Sequence, residues 1–481
     1  MVETVVVSDM HLTDAEPVNP KRPLWKAYKQ ARWFFDEDFA RLLDHVASEA
    51  AGPVELVLNG DTFDFNNITR LPEEPEGEIG WLARRRGLGA EEWMSAFKMG
   101  CIIADHPAWF AALARFLERG HRAVFVVGNH DAELLWPRVQ GLVREALRAD
   151  TDAVTFCNWF TLSGDTYISH GNQYDPYCVL PNPVDPLIEV RRRPRIRLPF
   201  GDLAQRYMLN GMGYFNPHAT SNFIMTGRQY AVFFFRHMLL TQPFLLWTWF
   251  WGAMATLLVS LNEFIRPAMR DPLYVDEKTE ALARAANATP SMVRKLHALQ
   301  VPSACTSPLM VLRELWLDRG LLALGVVLLA WQIVLMVNMV LPANPLWVFV
   351  PLAAMSPAVI VYASRVRSGL FTAPLLTEER ASLIHRITGA TRVVFGHIHI
   401  PERRQVGPVE YINGGFWSAA FADPACSRRI GTQTFVWIRP SEPGRRAELL
   451  EWPPGATAPR LFRDEAPSPA LTAAPDPSAA G

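Results

Sequence analysis

Asp9, His11, Asp61, Asn129, His130, His170, His397 and His399 are all residue types that bind divalent metal ions through nitrogen or oxygen. They stand in five short pieces: Asp9-Met10-His11, Gly60-Asp61, Gly128-Asn129-His130-Asp131, His170-Gly171 and Gly396-His397-Ile398-His399. Imidazoles suit zinc, iron or manganese, and oxygen ligands widen the choice to harder ions. A carboxylate placed between two ions can bridge them. Two ions roughly 3.5–4 Å apart can clamp a phosphoryl group and generate a hydroxide nucleophile near neutral pH. Taken singly, the pieces say little. Asp-x-His is common, Gly-Asp is an ordinary turn, and Gly-Asn-His-Asp can be a turn with a left-handed Asn. Gly396-His397-Ile398-His399 is sharper, because alternate residues at a strand end point the same way. Together the pieces define a metal site.

Each piece follows a β-rich run. Residues 4–7, 54–59, 123–127, 166–169 and 392–395 read as strands, and residues 411–415 and 433–438 as further ones. Helical patterns fall between them, for example at residues 38–50, 107–119 and 377–387. Strands alternating with helices predict a layered α/β core with its chemistry at the strand ends.

The 481 residues allow two or three domains. The 47 Lys+Arg nearly balance the 48 Asp+Glu, which disfavours a basic nucleic-acid binder, so no nucleic-acid partner is expected. The apolar share of 49% against 20% charged excludes wholesale disorder. Five cysteines without a Cys-x-x-Cys pair make neither a disulfide framework nor a thiolate zinc site. The N-terminus lacks a basic stretch followed by a long apolar one, so no cleaved signal peptide is expected.

The motif order resembles that of the calcineurin-like metallophosphoesterases, over residues 1–175 and 386–440. That resemblance implies an α/β fold, a four-layer α/β/β/α sandwich, around two divalent metal ions. Manganese is expected first, with iron or zinc as alternatives. By the same resemblance, Asp9, His11 and His399 hold one ion. Asn129, His170 and His397 hold the other, and Asp61 bridges them. His130 contacts the substrate phosphate and helps protonate the leaving oxygen, and Asp131 orients its ring. Gly60-Asp61-Thr62-Phe63-Asp64 and His170-Gly171-Asn172-Gln173-Tyr174-Asp175 are also similar to the UDP-diacylglucosamine pyrophosphohydrolases. Those enzymes carry Arg where this chain has His130, and they lack so large an insertion.

That insertion separates His170 from His397. It divides the chain into residues 1–180 and 386–452, the two parts of the catalytic domain, with a helical membrane-associated insertion at 181–385. A Pro- and Ala-rich tail at 453–481 is expected to be disordered. Residues 238–262 and 320–364 contain no Asp, Glu, Lys, Arg or His. The second run is too long for one crossing of a roughly 30 Å hydrocarbon core. Pro342 and Pro345 divide it into two transmembrane spans, 321–341 and 346–363. Both parts of the metal site must lie on one side of the bilayer, so the crossings between them are even in number. Residues 238–262, with Trp247, Trp249 and Trp251, then lie in the interface or re-enter. The rival is one crossing in each run. Arg266, Arg270, Lys278, Arg284, Arg294, Lys295, Arg313 and Arg319 lie before the hairpin, and Arg365 and Arg367 after it. They put the catalytic domain on the cytoplasmic side, at the inner membrane if the source is bacterial. The basic run 191–197 is either a solvated flank or a contact for anionic headgroups or phosphate.

The expected function is a membrane-anchored phosphohydrolase. It would cleave a phosphoester or pyrophosphate on a phosphorylated substrate, a lipid headgroup foremost, by attack of a metal-bound hydroxide. The alternatives are a tethered phosphatase or phosphodiesterase acting on a soluble nucleotide or phosphoprotein, and a non-catalytic membrane scaffold. The oligomeric state is left open.

Overall fold

The computed structural model describes residues 2–190, 192–214, 232, 234–239, 244–266, 276–366, 369, 374–421, 423, 425–442 and 444–463. Before the insertion come β1 (Glu3–Val7), β2 (Val54–Asn59), β3 (Arg122–Val126), β4 (Val154–Cys157), β5 (Phe160–Ser163) and β6 (Thr166–Ser169). A small hairpin follows, β7 (Leu187–Val190) and β8 (Arg193–Ile196). After the insertion come β9 (Arg392–Phe395), β10 (Glu402–Val406), β11 (Val409–Asn413), β12 (Ala420–Phe421), β13 (Arg429–Ile430), β14 (Thr434–Pro440), β15 (Arg445–Glu451) and β16 (Arg460–Leu461).

Two sheets form the centre. One runs β16-β15-β14-β1-β2-β3-β4, the other β10-β11-β9-β6-β5. Alternation along the strands decides which face meets what. Val6, Val57, Val394 and Ile412 pack between the sheets. Val5, Leu56 and Leu58 face outward onto Phe39, Leu42, Trp109 and Leu113 of the helices Asp36–Glu49 and Pro107–Glu118. Val393, Phe395 and Tyr411 face Leu282, Val293, Leu296 and Ile384 on the other side. The result is helices, sheet, sheet, helices, the expected four-layer order. Both sheets interleave strands from the two sides of the insertion: β14 pairs with β1, and β9 with β6.

The insertion is not uniformly apolar helix. Its helices Asp276–Ala285 and Pro290–His297 belong to the outer layer of the second sheet, through Leu282, Val293 and Leu296. Its first residues form the β7–β8 hairpin. The expectation of disorder from residue 453 also fails at its start, because Arg460–Leu461 pair with β15. Residues 464–481 lie outside the described residues.

Among the described residues, three helices are long and apolar enough to cross a membrane: Leu245–Ile265, Leu317–Asn338 and Pro345–Arg365. The last two pack on each other as a hairpin, with Ala330 and Val334 buried and Leu321, Leu328, Leu335, Val350 and Ile360 exposed. The first lies on the turns at residues 200–212 of the insertion, which pack in turn on the catalytic core. Leu245, Gly252, Thr256, Ser260 and Glu263 are buried, while Trp247, Trp251, Leu258 and Ile265 line the opposite, exposed face. Gly252 permits the contact, since a Cβ there would stand 2.9 Å from the Met208 Cα. The basic run is partly consumed here. Arg195 pairs with Glu263, and Arg197 donates to the Arg266 carbonyl, so these two are neither solvated nor open to a ligand. Arg191, Arg270 and Arg367 lie outside the described residues.

Candidate metal centre

The loops after β1 and β2 are zipped together by backbone bonds. Asp9 N donates to the Gly60 carbonyl at 3.1 Å and His11 N to the Asp61 carbonyl at 2.8 Å. Two motif glycines are there because other motifs' side chains need the space. A Cβ on Gly128 would stand 2.3 Å from Asp61 Oδ1, and one on Gly396 would stand 2.3 Å from Asp9 Oδ2. Asp9, His11, Asp61, His397 and His399 all have positive φ, between 50° and 71°. Non-glycine residues adopt that conformation at a cost, and such strain concentrates at functional sites.

Among the described residues the ligand-type side chains form four overlapping groups: His11, Asp64 and His130 make one, Asp175, Cys178 and His397 another, and the remaining two are built on Asp9 and Asp61. In the Asp9 group, His399 Nε2 lies 3.1 Å from Asp9 Oδ1 and 3.2 Å from His11 Nε2. In the Asp61 group, His170 Nε2 lies 3.1 Å from Asp61 Oδ2, with His397 alongside. Asp61 stands between them, its Oδ2 also 3.9 Å from His11 Nε2. Its Oδ1 accepts from His130 N at 2.8 Å. Burial opposes the charge on Asp61, but the His170 and His130 imidazoles hold its carboxyl below the usual carboxylate range.

The donor set fits divalent ions. The His170 ring meets the Asn59 carbonyl through Nδ1 at 3.0 Å, which leaves Nε2 buried without a hydrogen-bond partner and aimed at Asp61. Asn129 Oδ1 is likewise buried without a partner. Buried acceptors are costly unless something satisfies them. Metal-binding imidazoles are usually fixed through their other nitrogen, as His170 is. His397 is fixed in the same way, with Nε2 2.9 Å from Asp175 Oδ2. Asp175 stood in the quoted motif, but its function was not legible there.

His130 belongs to the rim. Its side chain is 16% exposed, and its ring meets that of His11 edge-on with centroids 4.8 Å apart. Burial alone would lower its pKa, but the carboxylates of Asp61, Asp64 and Asp202 hold it well above the ordinary value.

Asp131 is a correction. Its carboxylate accepts from Thr62 N at 2.8 Å and Gly128 N at 2.6 Å, so it braces the backbone beneath the site. The group at the His130 ring is Asp64, whose Oδ1 is 3.3 Å from Nδ1. The two carboxylates therefore have separable effects. Asp64→Asn is expected to slow turnover about 10–100-fold with little change in melting temperature, the scale seen when an orienting partner is lost. Asp131→Ala is expected to leave two backbone donors unsatisfied and cost about 1–3 kcal/mol each in stability. Kinetics and thermal melts of the two variants decide it; the reverse pattern would return Asp131 to the imidazole.

The calcineurin-like phosphoesterase family model matches residues 3–198. The matched span contains Asp9, His11, Asp61, Asn129, His130, Asp131 and His170, while His397 and His399 complete the groups from beyond it. The chain thus carries a calcineurin-like phosphoesterase domain. It is a metal-dependent phosphoesterase, a hydrolase of phosphoester bonds. No curated protein matches the chain.

Proposed function

We propose that this phosphoesterase is a membrane-anchored, two-metal enzyme that cleaves a phosphoester or pyrophosphate on a lipid headgroup at the cytoplasmic surface. The observation that carries this reading is how the apolar hairpin is mounted. Tyr177 Oη donates to Glu314 Oε1, at the base of the hairpin, at 2.9 Å. Tyr177 N donates to Asp175 Oδ1 at 2.9 Å, and Asp175 Oδ2 holds His397. Three hydrogen bonds join the hairpin base to the metal centre. A site so mounted lies close to the bilayer surface, where lipid phosphates are concentrated.

The helix Leu245–Ile265 fits an interfacial position. One face rests on the turns at residues 200–212, which pack in turn on the catalytic core, and that support cannot follow it across a bilayer. Its exposed face offers Trp247, Trp251 and Leu258, suited to the headgroup zone.

Bound divalent ions would supply Lewis acidity and a nucleophile drawn from water. The protein's own groups do the rest. Asp9, His11 and His399 would hold one ion, Asn129, His170 and His397 the other, with Asp61 between the two groups. His130 neutralises phosphoryl charge and, with Nδ1 turned to Asp64, offers the Nε2 proton to the leaving oxygen.

The substrate test is a hydrolysis screen of the full chain with Mn²⁺. Phospholipids and nucleotide-linked lipids are set against soluble monoesters and diesters. Higher kcat/KM on a lipid is expected; equal or faster turnover of a soluble nucleotide or phosphoprotein would favour the tethered phosphatase. Topology is tested by cysteine labelling in intact cells. Cys305 is buried and makes a poor reporter, whereas Thr306 and Asn344 are exposed. In a variant lacking the native thiols, an impermeant maleimide is expected to label Asn344→Cys and not Thr306→Cys. Labelling of Thr306→Cys from outside would make Leu245–Ile265 a true span and end the hairpin reading.

A further inference from the structure

The matched family span ends at residue 198, and the chain then turns directly back under the metal centre. The short helix Phe200–Ala204 runs into one π-helical turn, Gln205–Leu209. Single π turns are uncommon and recur at functional sites. Asp202, on this segment, is completely buried. Its Oδ1 accepts from Asn66 Nδ2 at 2.6 Å, its Oδ2 accepts from Asn129 Nδ2 at 3.4 Å, and it lies 4.0 Å from His130 Nδ1. The segment is held in place by buried polar bonds: Gln205 Nε2 donates to Asp64 Oδ2 at 2.8 Å, and Arg206 donates to Asn66 Oδ1 at 2.8 Å and Glu133 at 3.1 Å.

We infer that Asp202 is a positioning residue for Asn129, supplied by the insertion: it takes the amide's NH₂ group and thereby aims the carbonyl oxygen into the metal centre. The chemistry is that of an amide with two nearly identical ends. An Asn side chain is a ligand only when its oxygen faces the ion, and nothing in its shape prevents a flip. A carboxyl oxygen placed behind it, accepting from the NH₂ end, decides the orientation. Asp202 is that acceptor, and Asn129 Oδ1 is the buried oxygen left without a hydrogen-bond partner. This rests on the proposed two-metal reading, in which Asn129 is a ligand of the second ion.

The consequence is that the insertion completes the centre from behind. The interfacial helix packs on the same turn, through Gly252 against Met208, so the part that meets the membrane and the part that sets a ligand share one support.

The test uses the full-length protein in detergent, with Mn²⁺ alone as probe and no substrate. Asp202→Asn keeps shape but lets the Asn129 amide turn. It is expected to bind the first Mn²⁺ normally and the second about 10–100-fold more weakly, the usual cost of losing an orienting partner. The reciprocal swap, Asn129→Asp with Asp202→Asn, keeps one carboxylate, one amide and the same charge in the buried pair. It is expected to bind the second ion as well as Asn129→Asp alone does, because a carboxylate at 129 has no amide to turn, whereas a merely structural defect from Asp202→Asn would persist in that background. If Asp202→Asn fails to fold, the swap decides, by its second-site affinity against Asn129→Asp alone. Wild-type Mn²⁺ binding by Asp202→Asn, or a folded swap that binds the second ion more weakly than Asn129→Asp alone, overturns the inference. A wild-type chain that takes up fewer than two Mn²⁺ overturns the two-metal reading itself, and this inference with it.

Discussion

Asp61→Asn is expected to abolish useful turnover, by roughly 10³-fold or more, while the fold survives. Both oxygens of Asp61 are committed. Oδ1 accepts from His130 N, and Oδ2 lies within 4 Å of imidazole nitrogens from both groups, His170 and His11. An asparagine must place its NH₂ either against the His130 N–H donor or toward the centre. In either orientation one acceptor is lost where two ligand groups meet. The Lewis-acid contribution of bound ions is several kcal/mol, and each 1.4 kcal/mol is tenfold in rate. Circular dichroism should remain that of the wild type, and metal analysis should fall below two ions. Near-normal turnover in this variant would sink the two-metal assignment.

His130→Ala should be the second largest loss, with a different signature. The ring sits on the rim, where it groups with His11 and Asp64 and not with the residues around Asp61. The expected fall in rate is roughly 10²–10⁴, the usual range for general acid–base help. Metal content should not change. The loss should shrink for aryl phosphates, whose leaving groups depart without a proton. One ion missing from purified His130→Ala would instead move this histidine among the ligands.

The centre was legible because each ligand follows a strand, and short β-rich runs such as Val54–Asn59 and Arg392–Phe395 declare themselves locally. Gly128 and Gly396 added a second local signal, whose reason is steric. What could not be read were contacts between segments distant in sequence. Asp64 and Asp131 are both acidic residues in motifs, and only the fold decides which one meets the His130 ring. Asp202 stands in no motif; a buried Asp whose partner lies more than seventy positions away leaves no pattern. The helices Asp276–Ala285 and Pro290–His297 were hidden for a related reason. They lie between apolar runs and look like connecting loop, yet they cover the second sheet.

The interleaving of the strands sets an order of events during synthesis. When His170 has emerged from the ribosome, β1 still has an open edge where β14 will pair, and β6 lacks β9. The Asp9 group then has Asp9 and His11 but not His399, and the Asp61 group lacks His397. The entire insertion is translated before those residues appear. A nascent chain therefore carries the complete insertion before it can bring its full set of ligand-type residues together. A chain cut short anywhere in the insertion carries most of the recognisable motifs and no competent centre. The ligand-type residues are thus brought together only after the insertion, with its long apolar helices, has been made.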